Sequence, residues 1–489
     1  MKKIFQIILT SYCLLIIEGS QAICEQKALT INDVIQYALE NNLSLKVKRI
    51  SKDIQKDRLD ASETIFDSTI TSNIAIARQD AKTDQQVFRS NLEKIDVSVS
   101  KLIKNGDIFI VSLKSNRQET KPFLPLAPTT SREFTHNASM TYIKPLMKEK
   151  GESIIATEIQ VEKNNLHYEK LLFKQYMIET IATAQTYYWE LYKSKEQLRA
   201  QLKSLELAQE FLKTTQEKVD MGLLANSEVL QAKAEVAARD EAVLISDNSV
   251  KNNEDRLIQY IFGKIEWMDY VKLVEKPIFE KLKIMSIDAE IQKALTHRID
   301  YQLSQITLKN AELNCAYYQN QTLPKIDLNA TLSIDGDGKT NNIAFDRFFS
   351  GESYTAQLGI SVEYPWKLRQ DKANYQKAKH EKQQAELSIG TIKQQIILDV
   401  RKALRDVLSL EKRYESTQVA KELADEKLSM EVDRFKSGYS TSYNVLQFQR
   451  DLTDAMVKNI NASVDYQIAR VNFNMATGIS LEVHNIKEE

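Results

Sequence analysis

The sequence contains little cysteine, glycine or proline, with 3 Cys, 12 Gly and 7 Pro among 489 residues. So few cysteines exclude a disulfide framework, and packing must therefore hold the fold together. The scarcity of helix breakers predicts long helices. No apolar stretch after the N-terminal segment is long enough for a spanning helix, so any part that enters a bilayer is predicted to do so as strands.

Charge and motif content narrow the possible functions. The 66 Lys and Arg residues balance 67 Asp and Glu residues, so we expect no nucleic-acid partner, which would require a basic face. The 5 histidines have no metal-ligand spacing, and the sequence contains no nucleophile motif or paired-carboxylate site. We therefore expect no catalytic activity, no cofactor and no metal.

The first residues have the form of a secretory signal peptide. Lys2 and Lys3 precede an apolar run from Ile4 to Ile17, and the triplet Ser20-Gln21-Ala22 predicts cleavage after residue 22. Cys24 lies close to this point, but the residues before it match a lipoprotein signal poorly, so whether it carries a lipid stays open. The signal predicts an exported protein.

An internal duplication organises the rest of the sequence. Residues 33–39, DVIQYAL, return as AEIQKAL at 289–295, and the block 222–231 returns at 438–447. Each half reads helix, strands, very long helix, tight break, helix. The predicted divisions are a signal peptide (1–22), a first repeat (23–264, with strands at about 66–146 and a helical hairpin at 152–262), a linker (265–286), a second repeat (287–480, with strands at 324–366 and a helical hairpin at 369–477) and a C-terminal tail (481–489).

The long helix of each half carries an apolar stripe. No Pro or Gly interrupts residues 152–219, which would form a helix roughly 100 Å long. Apolar residues recur every three or four positions in both halves, which predicts coiled-coil packing. The stripes are Ala184, Tyr188, Leu191, Leu198, Leu202, Leu205 and Leu212 in the first half and Ile389, Ile392, Ile396, Val400, Ala403, Val407, Leu410 and Tyr414 in the second.

Between the helices, apolar and polar residues alternate with the period of a strand. The predicted strands are 69–76 and 137–142 in the first half and 326–334 and 354–364 in the second. An extra first-half hairpin, 96–100 with 107–113, is predicted to turn at Asn105-Gly106. Whether this segment, residues 95–116, joins the same wall stays open. Residues 335–340 are predicted to form a hairpin loop outside the membrane.

Four to six strands per chain cannot close a membrane barrel by themselves. An open strand edge in lipid leaves N–H and C=O groups unpaired, and each costs several kcal/mol. The barrel is therefore predicted to be shared between subunits. Three copies would give twelve strands, or eighteen if the extra hairpin joins the wall.

The sequence resembles the outer-membrane efflux (TolC) family over about residues 29–480. In that family the first helix begins after Leu-Thr and ends with Ala-Leu shortly before Asn-Asn. The corresponding residues here are Leu29-Thr30 and residues 38–42. The family's periplasmic tip turn, in which five residues separate Gly from Asp-Val-Leu, is similar to residues 222–230 and again to residues 438–446. Glycine suits the end of one helix, and Ser227, Thr441 or Ser442 could cap the next.

The resemblance implies a mixed fold of all-α coiled coil and transmembrane β-barrel, arranged as a TolC-like trimeric α/β-barrel duct. It implies a homotrimer with a twelve-stranded barrel in the lipid of the Gram-negative outer membrane and a helical tunnel across the periplasm. The implied partners are a periplasmic adaptor protein and an inner-membrane transporter. The implied function is a passive exit duct of a tripartite efflux pump or a type I secretion system.

The resemblance also assigns roles to residues. Pro145 and Pro365 are expected at the barrel-to-helix junctions, where a proline withholds a strand donor and favours the start of a helix. The expected adaptor-docking residues at the tips are Gly222, Leu223, Ser227, Gly438, Tyr439 and Thr441. The expected pore-entrance residues are Glu228, Gln231, Asn444 and Gln447. Family members carry rings of Asp where Asn444 and Gln447 stand, so we expect weaker cation capture here.

The main alternative is a periplasmic or surface coiled-coil scaffold or adhesin without a pore. Long amphipathic helices fit such a protein, and alternating strands by themselves also fit a soluble sandwich.

Overall fold

The computed structural model describes residues 28–82, 87–122, 130–263, 271–282, 286–484 and 486. The predicted signal peptide and Cys24 lie outside the described residues. The chain separates into two compact units, each of which draws on both sequence halves. One unit contains residues 51–171 and 302–391, and the other contains the rest of the described residues.

Helices and strands alternate along the described chain in blocks. The helices are α1 (Ile31–Asn41), α2 (Leu43–Glu63), α3 (Glu152–Ile155), α4 (Thr157–Asp220), α5 (Asn226–Phe262), α6 (Ile287–His297), α7 (Ile299–Gln321), α8 (Asn341–Ser350), α9 (Arg369–Lys436), α10 (Ser442–Thr477) and α11 (Ser480–Val483). The strands are β1 (Ala28–Leu29), β2 (Thr69–Lys82), β3 (Val87–Leu102), β4 (Ile108–Pro122), β5 (Ser131–Pro145), β6 (Lys272–Leu273), β7 (Lys325–Gly338) and β8 (Tyr354–Glu363).

The apolar stripes of the long helices form the core of the helical unit. Tyr188 and Leu191 of α4 are fully buried in one cluster, and Val400 of α9 and Tyr466 of α10 are fully buried in a second. The predicted packing of the stripes is thereby confirmed for Tyr188, Leu191 and Val400. Leu202 is an exception, because 47% of its surface is exposed.

The described part of the predicted linker, residues 271–282, is bound to the helices. β6 pairs in parallel with β1, and the Tyr188 hydroxyl accepts a hydrogen bond from Glu275 N–H at 2.9 Å. Burial raises the pKa of Tyr188 to about 12, so the hydroxyl stays protonated and also donates to the Glu275 carbonyl at 3.3 Å. Tyr466 donates to the Glu280 carbonyl at 2.6 Å.

The other unit contains a six-stranded antiparallel sheet in the order β2-β3-β4-β5-β7-β8. The predicted extra hairpin joins this sheet as β3 and β4, and its turn contains Gly106 at a φ of +96°, where glycine is favoured. The first-half strands are longer than the apolar pattern predicts. The predicted loop at 335–340 is wrong at its start, because residues 335–338 continue β7.

Candidate channel wall and helical tips

The six-stranded sheet has one apolar face. Side chains alternate between the two faces of a strand, and the strand register aligns the apolar positions of all six strands. We call this the outer face. Its exposed apolar residues are Ile70, Ile74, Ile76, Ile95, Val97, Val99, Val111, Leu113, Met140, Leu332, Ile334, Tyr354, Leu358, Ile360 and Val362. Large apolar patches of this extent normally contact a membrane or another protein.

The opposite, inner face is polar on every strand. Asn137 Nδ2 donates to Asp335 Oδ1 at 2.7 Å, and Asn329 Nδ2 donates to Ser361 Oγ at 3.0 Å. Further inner-face residues are Thr71, Asn73, Lys94, Asp96, Ser98, Ser112, Lys114, Asn116, Ser139, Thr141, Thr331, Ser333, Thr355 and Gln357. A sheet with one apolar and one polar face suits a wall between lipid and water.

Strands β2 and β8 form the edges of this sheet within the described chain. Asp335 N–H donates to the Ser353 carbonyl, and the hydrogen bonds of an antiparallel pair alternate along it. In this register, odd-numbered residues of β8 bond to β7, while the N–H groups of Ala356, Leu358 and Ile360 point toward the open edge. The edge therefore offers a second strand a regular row of donors and acceptors.

The two predicted junction prolines lie at strand ends and outside the helices. Pro145 is the last residue of β5 and pairs with Asp327, while α3 begins only at Glu152. Pro365 follows β8, and α9 begins at Arg369. Neither proline is the first residue of a helix, and their role as barrel-to-helix junction residues stays a prediction. Backbone bonding toward β7 continues past Pro145, because Leu146 N–H donates to the Ile326 carbonyl at 2.7 Å.

Both helical tips turn through a glycine in the left-handed region. Gly222 has a φ of +76° and Gly438 a φ of +83°. In the first turn Gly222 N–H donates to the Val219 carbonyl at 2.8 Å and Leu223 N–H to the Lys218 carbonyl at 2.9 Å. Gly438 and Tyr439 make the same pair of bonds after α9. This is the Schellman motif that closes a helix C-terminus.

The helices after the two turns begin differently. Thr441 is the N-cap of α10, and its side chain accepts a hydrogen bond from Asn444 N–H at 3.4 Å. The N-cap of α5 is Ala225, which has no side-chain cap. The expected capping role of Ser227 is therefore wrong, because Ser227 lies inside the first turn of α5. Ser442 is the first residue of α10 and is buried.

The expected pore-entrance residues all lie in the first two turns of α5 and α10. Gln231 and Asn444 are exposed, and Glu228 and Gln447 are partly buried. Gln447 Nε2 donates to Asp451 Oδ1 at 2.9 Å. The tip side chains Leu223 and Tyr439 are 68% and 79% exposed, so both are available to a partner.

Below the tips lies a charged group that the sequence patterns do not indicate. Glu235 of α5 is buried, and it accepts from Arg239 Nε at 2.9 Å and from Arg450 Nε of α10 at 3.2 Å. Burial raises the pKa of this carboxyl, but the hydrogen bond from Arg450 and the two positive charges outweigh it, so the pKa is lowered overall. Only the pairing of α5 with α10 brings these residues together.

Two features are absent from the described residues. No described helix is both long enough and apolar enough to cross a membrane. No three His, Cys, Asp or Glu side chains in the described part of the chain are placed to hold a metal ion.

Part of the chain matches the sequence model of a known protein family. Residues 291–478 match the sequence model of the family described as Outer membrane efflux protein. The resemblance to this family that the sequence motifs indicate is confirmed over these residues. No curated protein matches the chain.

Solved structures extend the likeness over both halves. The CmeC outer membrane channel of Campylobacter jejuni has a TM-score of 0.67 at 16% identity, covering 92% of this chain and 86% of that one. The outer membrane protein VceC of Vibrio cholerae gives 0.65 at 14%, covering 92% and 96%. The MtrE outer membrane channel of Neisseria gonorrhoeae gives 0.62 at 16%, covering 92% and 89%. At these identities the likeness establishes the fold, and the predicted mixed fold of long helices and strands is confirmed.

Proposed function

We propose that this protein is a passive outer-membrane channel, the exit duct of a tripartite efflux pump or a type I secretion system. The observation that carries the proposal is the six-stranded sheet, which has a broad band of exposed apolar residues on one face and polar residues on the other. A coiled-coil scaffold without a pore gives no reason for this division, because an exposed apolar face is a liability in water.

Closure of the wall requires further copies of the chain. The open edges of β2 and β8 cannot face lipid, where unpaired backbone groups cost several kcal/mol each. We propose a homotrimer in which β8 of one chain pairs with β2 of the next. Six strands per chain then make eighteen, instead of the twelve that the family resemblance implies. With strands about 4.8 Å apart and tilted by about 40°, this barrel would be about 36 Å across, against about 24 Å for twelve strands.

The tips are proposed to dock a periplasmic adaptor protein that connects the channel to an inner-membrane transporter. The exposed Leu223 and Tyr439 follow rigid Schellman turns, and a rigid turn presents an apolar side chain at little entropic cost on binding. The proposed pore entrance is formed by the first two turns of α5 and α10, with Glu228, Gln231, Asn444 and Gln447.

A substitution at the open edge tests the closure. In Leu358→Pro the lost N–H is one that β7 does not use, so the sheet of the single chain should survive while pairing with the next chain fails. Leu358→Ala keeps the N–H and serves as the control. We expect Leu358→Ala to form trimers with single-channel conductance in planar bilayers, and Leu358→Pro to yield monomers without pores. Trimeric pores from both variants would contradict edge pairing.

A deletion tests the number of strands. Removing residues 87–122 takes out β3 and β4 and leaves β2 and β5 antiparallel to each other, so four strands per chain remain. We expect this variant to form a narrower pore that excludes smaller polymers than the wild-type pore does. An unchanged polymer cut-off would show that the hairpin does not contribute to the wall. A wild-type protein that stays a water-soluble monomer without detergent would contradict the channel proposal itself.

A further inference from the structure

Helix α8, between β7 and β8, packs against the outer face of the sheet. A Cβ atom at Gly336 would lie 2.3 Å from the Ala344 carbonyl oxygen, and one at Gly338 would lie 2.8 Å from the Ala344 nitrogen. Only glycine permits this approach. Gly336 and Gly338 have the same strand parity as Leu332 and Ile334, so α8 lies on the face that carries the apolar residues.

A second strand fixes the same placement. On β5, His136 pairs in register with Gly336 and stacks on Phe345 of α8 with ring centroids 4.0 Å apart. His136 Nε2 also lies 3.1 Å from Asn341 Oδ1. Helix α8 therefore packs against both β7 and β5.

Three apolar side chains of α8 remain exposed beside its contact with the sheet. Phe349 is 78% exposed, Ile343 44% and Phe345 40%. Phe349 packs against Phe345 and Phe348 with centroids 6.1 and 5.2 Å apart. This aromatic cluster continues the apolar outer face beyond Ile334, where the strand itself has only glycine.

A belt of charge follows the apolar residues along β2 to β5 on the same outer face. Cross-strand ion pairs join Arg89 to Asp80 at 2.7 Å, Arg117 to Glu93 at 3.2 Å and Arg132 to Glu119 at 3.1 Å. Arg78 and Lys121 also contact these acids. The belt contains five basic and three acidic side chains, so it favours anionic groups.

We infer that α8 lies in the interface of the outer leaflet as an amphipathic anchor, with the charged belt facing the phosphates of anionic lipid headgroups. The inference rests on the proposed function, because it takes the outer face as lipid-facing. Aromatic side chains concentrate where a barrel leaves the hydrocarbon layer, and interfacial helices bury an apolar face beside anionic lipid. Here a helix packed on the strands provides the aromatic residues, and the belt provides the charge.

Quenching by brominated lipid tests the position of α8. A nitrobenzoxadiazole label is attached at Phe349→Cys in a Cys24→Ser/Cys315→Ser background, in phosphatidylcholine vesicles with and without brominated acyl chains. Leu358→Cys on the outer face and Gln118→Cys on the inner face are the matched positions. We expect blue-shifted emission and quenching at 349 and 358, and neither at 118.

The outcomes separate the two proposals. If the label at 358 is quenched and that at 349 behaves like the one at 118, the inference about α8 is overturned and the channel proposal stands. If the label at 358 is also unquenched, the outer face does not contact lipid and both proposals fail.

A second measurement tests the charged belt. We expect phosphatidylglycerol, added to the phosphatidylcholine vesicles, to raise the temperature at which the oligomer dissociates. The rise should be lost in Arg117→Gln/Arg132→Gln and kept in Lys94→Gln/Lys114→Gln, which removes the same charge from the inner face. An equal rise in both variants would overturn the role of the belt.

Discussion

The two helical tips have the same backbone turn but secure the following helix in different ways. Gly222 and Gly438 make identical pairs of hydrogen bonds, yet α10 begins with a side-chain cap from Thr441, whereas α5 has none. Glu228 stands in the first turn of α5, where a negative charge interacts favourably with the helix dipole, and the corresponding residue of α10 is the neutral Asn444. The turn is thus common to both halves, while the stabilisation of the helix start is not.

The charged residues behind the two tips also differ between the halves. Glu235 of the first half is buried between two arginines, whereas Asp451, the residue that corresponds to it in the repeat, is exposed and accepts a hydrogen bond from Gln447. A duplicated sequence keeps what the local backbone requires and changes where the two copies meet different neighbours. Four predictions test this comparison.

The largest effect is expected from removing what the two tips share. A Cβ atom added at Gly222 or Gly438 would meet nothing within 4 Å beyond its neighbours in the chain, so Val at either site would not clash. The cost, about 1–2 kcal/mol, comes from the left-handed backbone alone. We expect Gly222→Val and Gly438→Val each to abolish export while trimers persist.

The matched controls are Gly222→Asn and Gly438→Asn, because Asn tolerates this conformation. They should restore export in a host strain that lacks the native gene. Unchanged export in both Val variants would show that the tips are not the docking surface.

The second prediction concerns the buried Glu235 of the first half and the exposed Asp451 of the second. Glu235→Gln leaves Arg239 and Arg450 without their counter-charge, and we expect the free energy of unfolding of the tip region to fall by about 1–3 kcal/mol. Asp451→Asn should cost far less, because Asp451 is exposed. Hydrogen exchange of the α5 and α10 amides measures both, and equal effects would contradict the comparison.

The same group predicts a pH dependence. Since the pKa of Glu235 is lowered in the folded protein, its contribution to stability is complete above the ordinary glutamate pKa. That contribution is lost as the pH falls through the lowered value. The difference between wild type and Glu235→Gln should therefore shrink in acid.

The third prediction makes the second tip acidic. If Asn444 and Gln447 line the entrance, their neutral side chains should give weak block by trivalent cations. Asn444→Asp/Gln447→Asp should tighten the block several-fold, because three chains bring the new charges together in a confined mouth. Single-channel conductance with and without the cation measures this.

Asn444→Ala/Gln447→Ala is the neutral control for that experiment. Equal block in wild type and in the Asp variant would show that these residues pack or cap α10 and do not face the pore.

The smallest effects are expected from removing the side-chain cap of α10 and adding one to α5. Thr441→Ala should destabilise the start of α10 by about 1 kcal/mol, and Ala225→Ser should stabilise that of α5 by about 0.5–1 kcal/mol. Hydrogen exchange at the first-turn amides should become faster in the former and slower in the latter. No change in Ala225→Ser would show that Glu228 already suffices.

The sequence predicted strands well where an apolar face continues and poorly where it stops. β8 agrees with the predicted alternation nearly to the residue, and β7 continues four residues beyond it. β2 and β5 extend beyond the predicted strands, because Asp80 and Arg132 continue the pairing through ion pairs with neighbouring strands. The polar end of a strand lacks the alternation of apolar and polar residues by which a strand is recognised in a sequence.

Helix α8 was missed for a related reason. It is only ten residues long, and it follows an Asp-Gly-Asp-Gly run that is typical of a loop. Isolated helices of this length are marginal in water. Its stability comes from contact with Gly336 and Gly338, whose role appears only when the helix is in place.

The sequence by itself determined the long helices, the glycine turns at both tips, the Thr441 cap and the alternation of the strands, because each depends on residues within a few positions of one another. Only the tertiary structure decided that β3 and β4 stand between β2 and β5, that Glu235 meets Arg450, and that α8 packs on β5 and β7. These contacts join residues far apart in the chain, and a local pattern cannot specify which distant partner a strand edge or a buried charge will find.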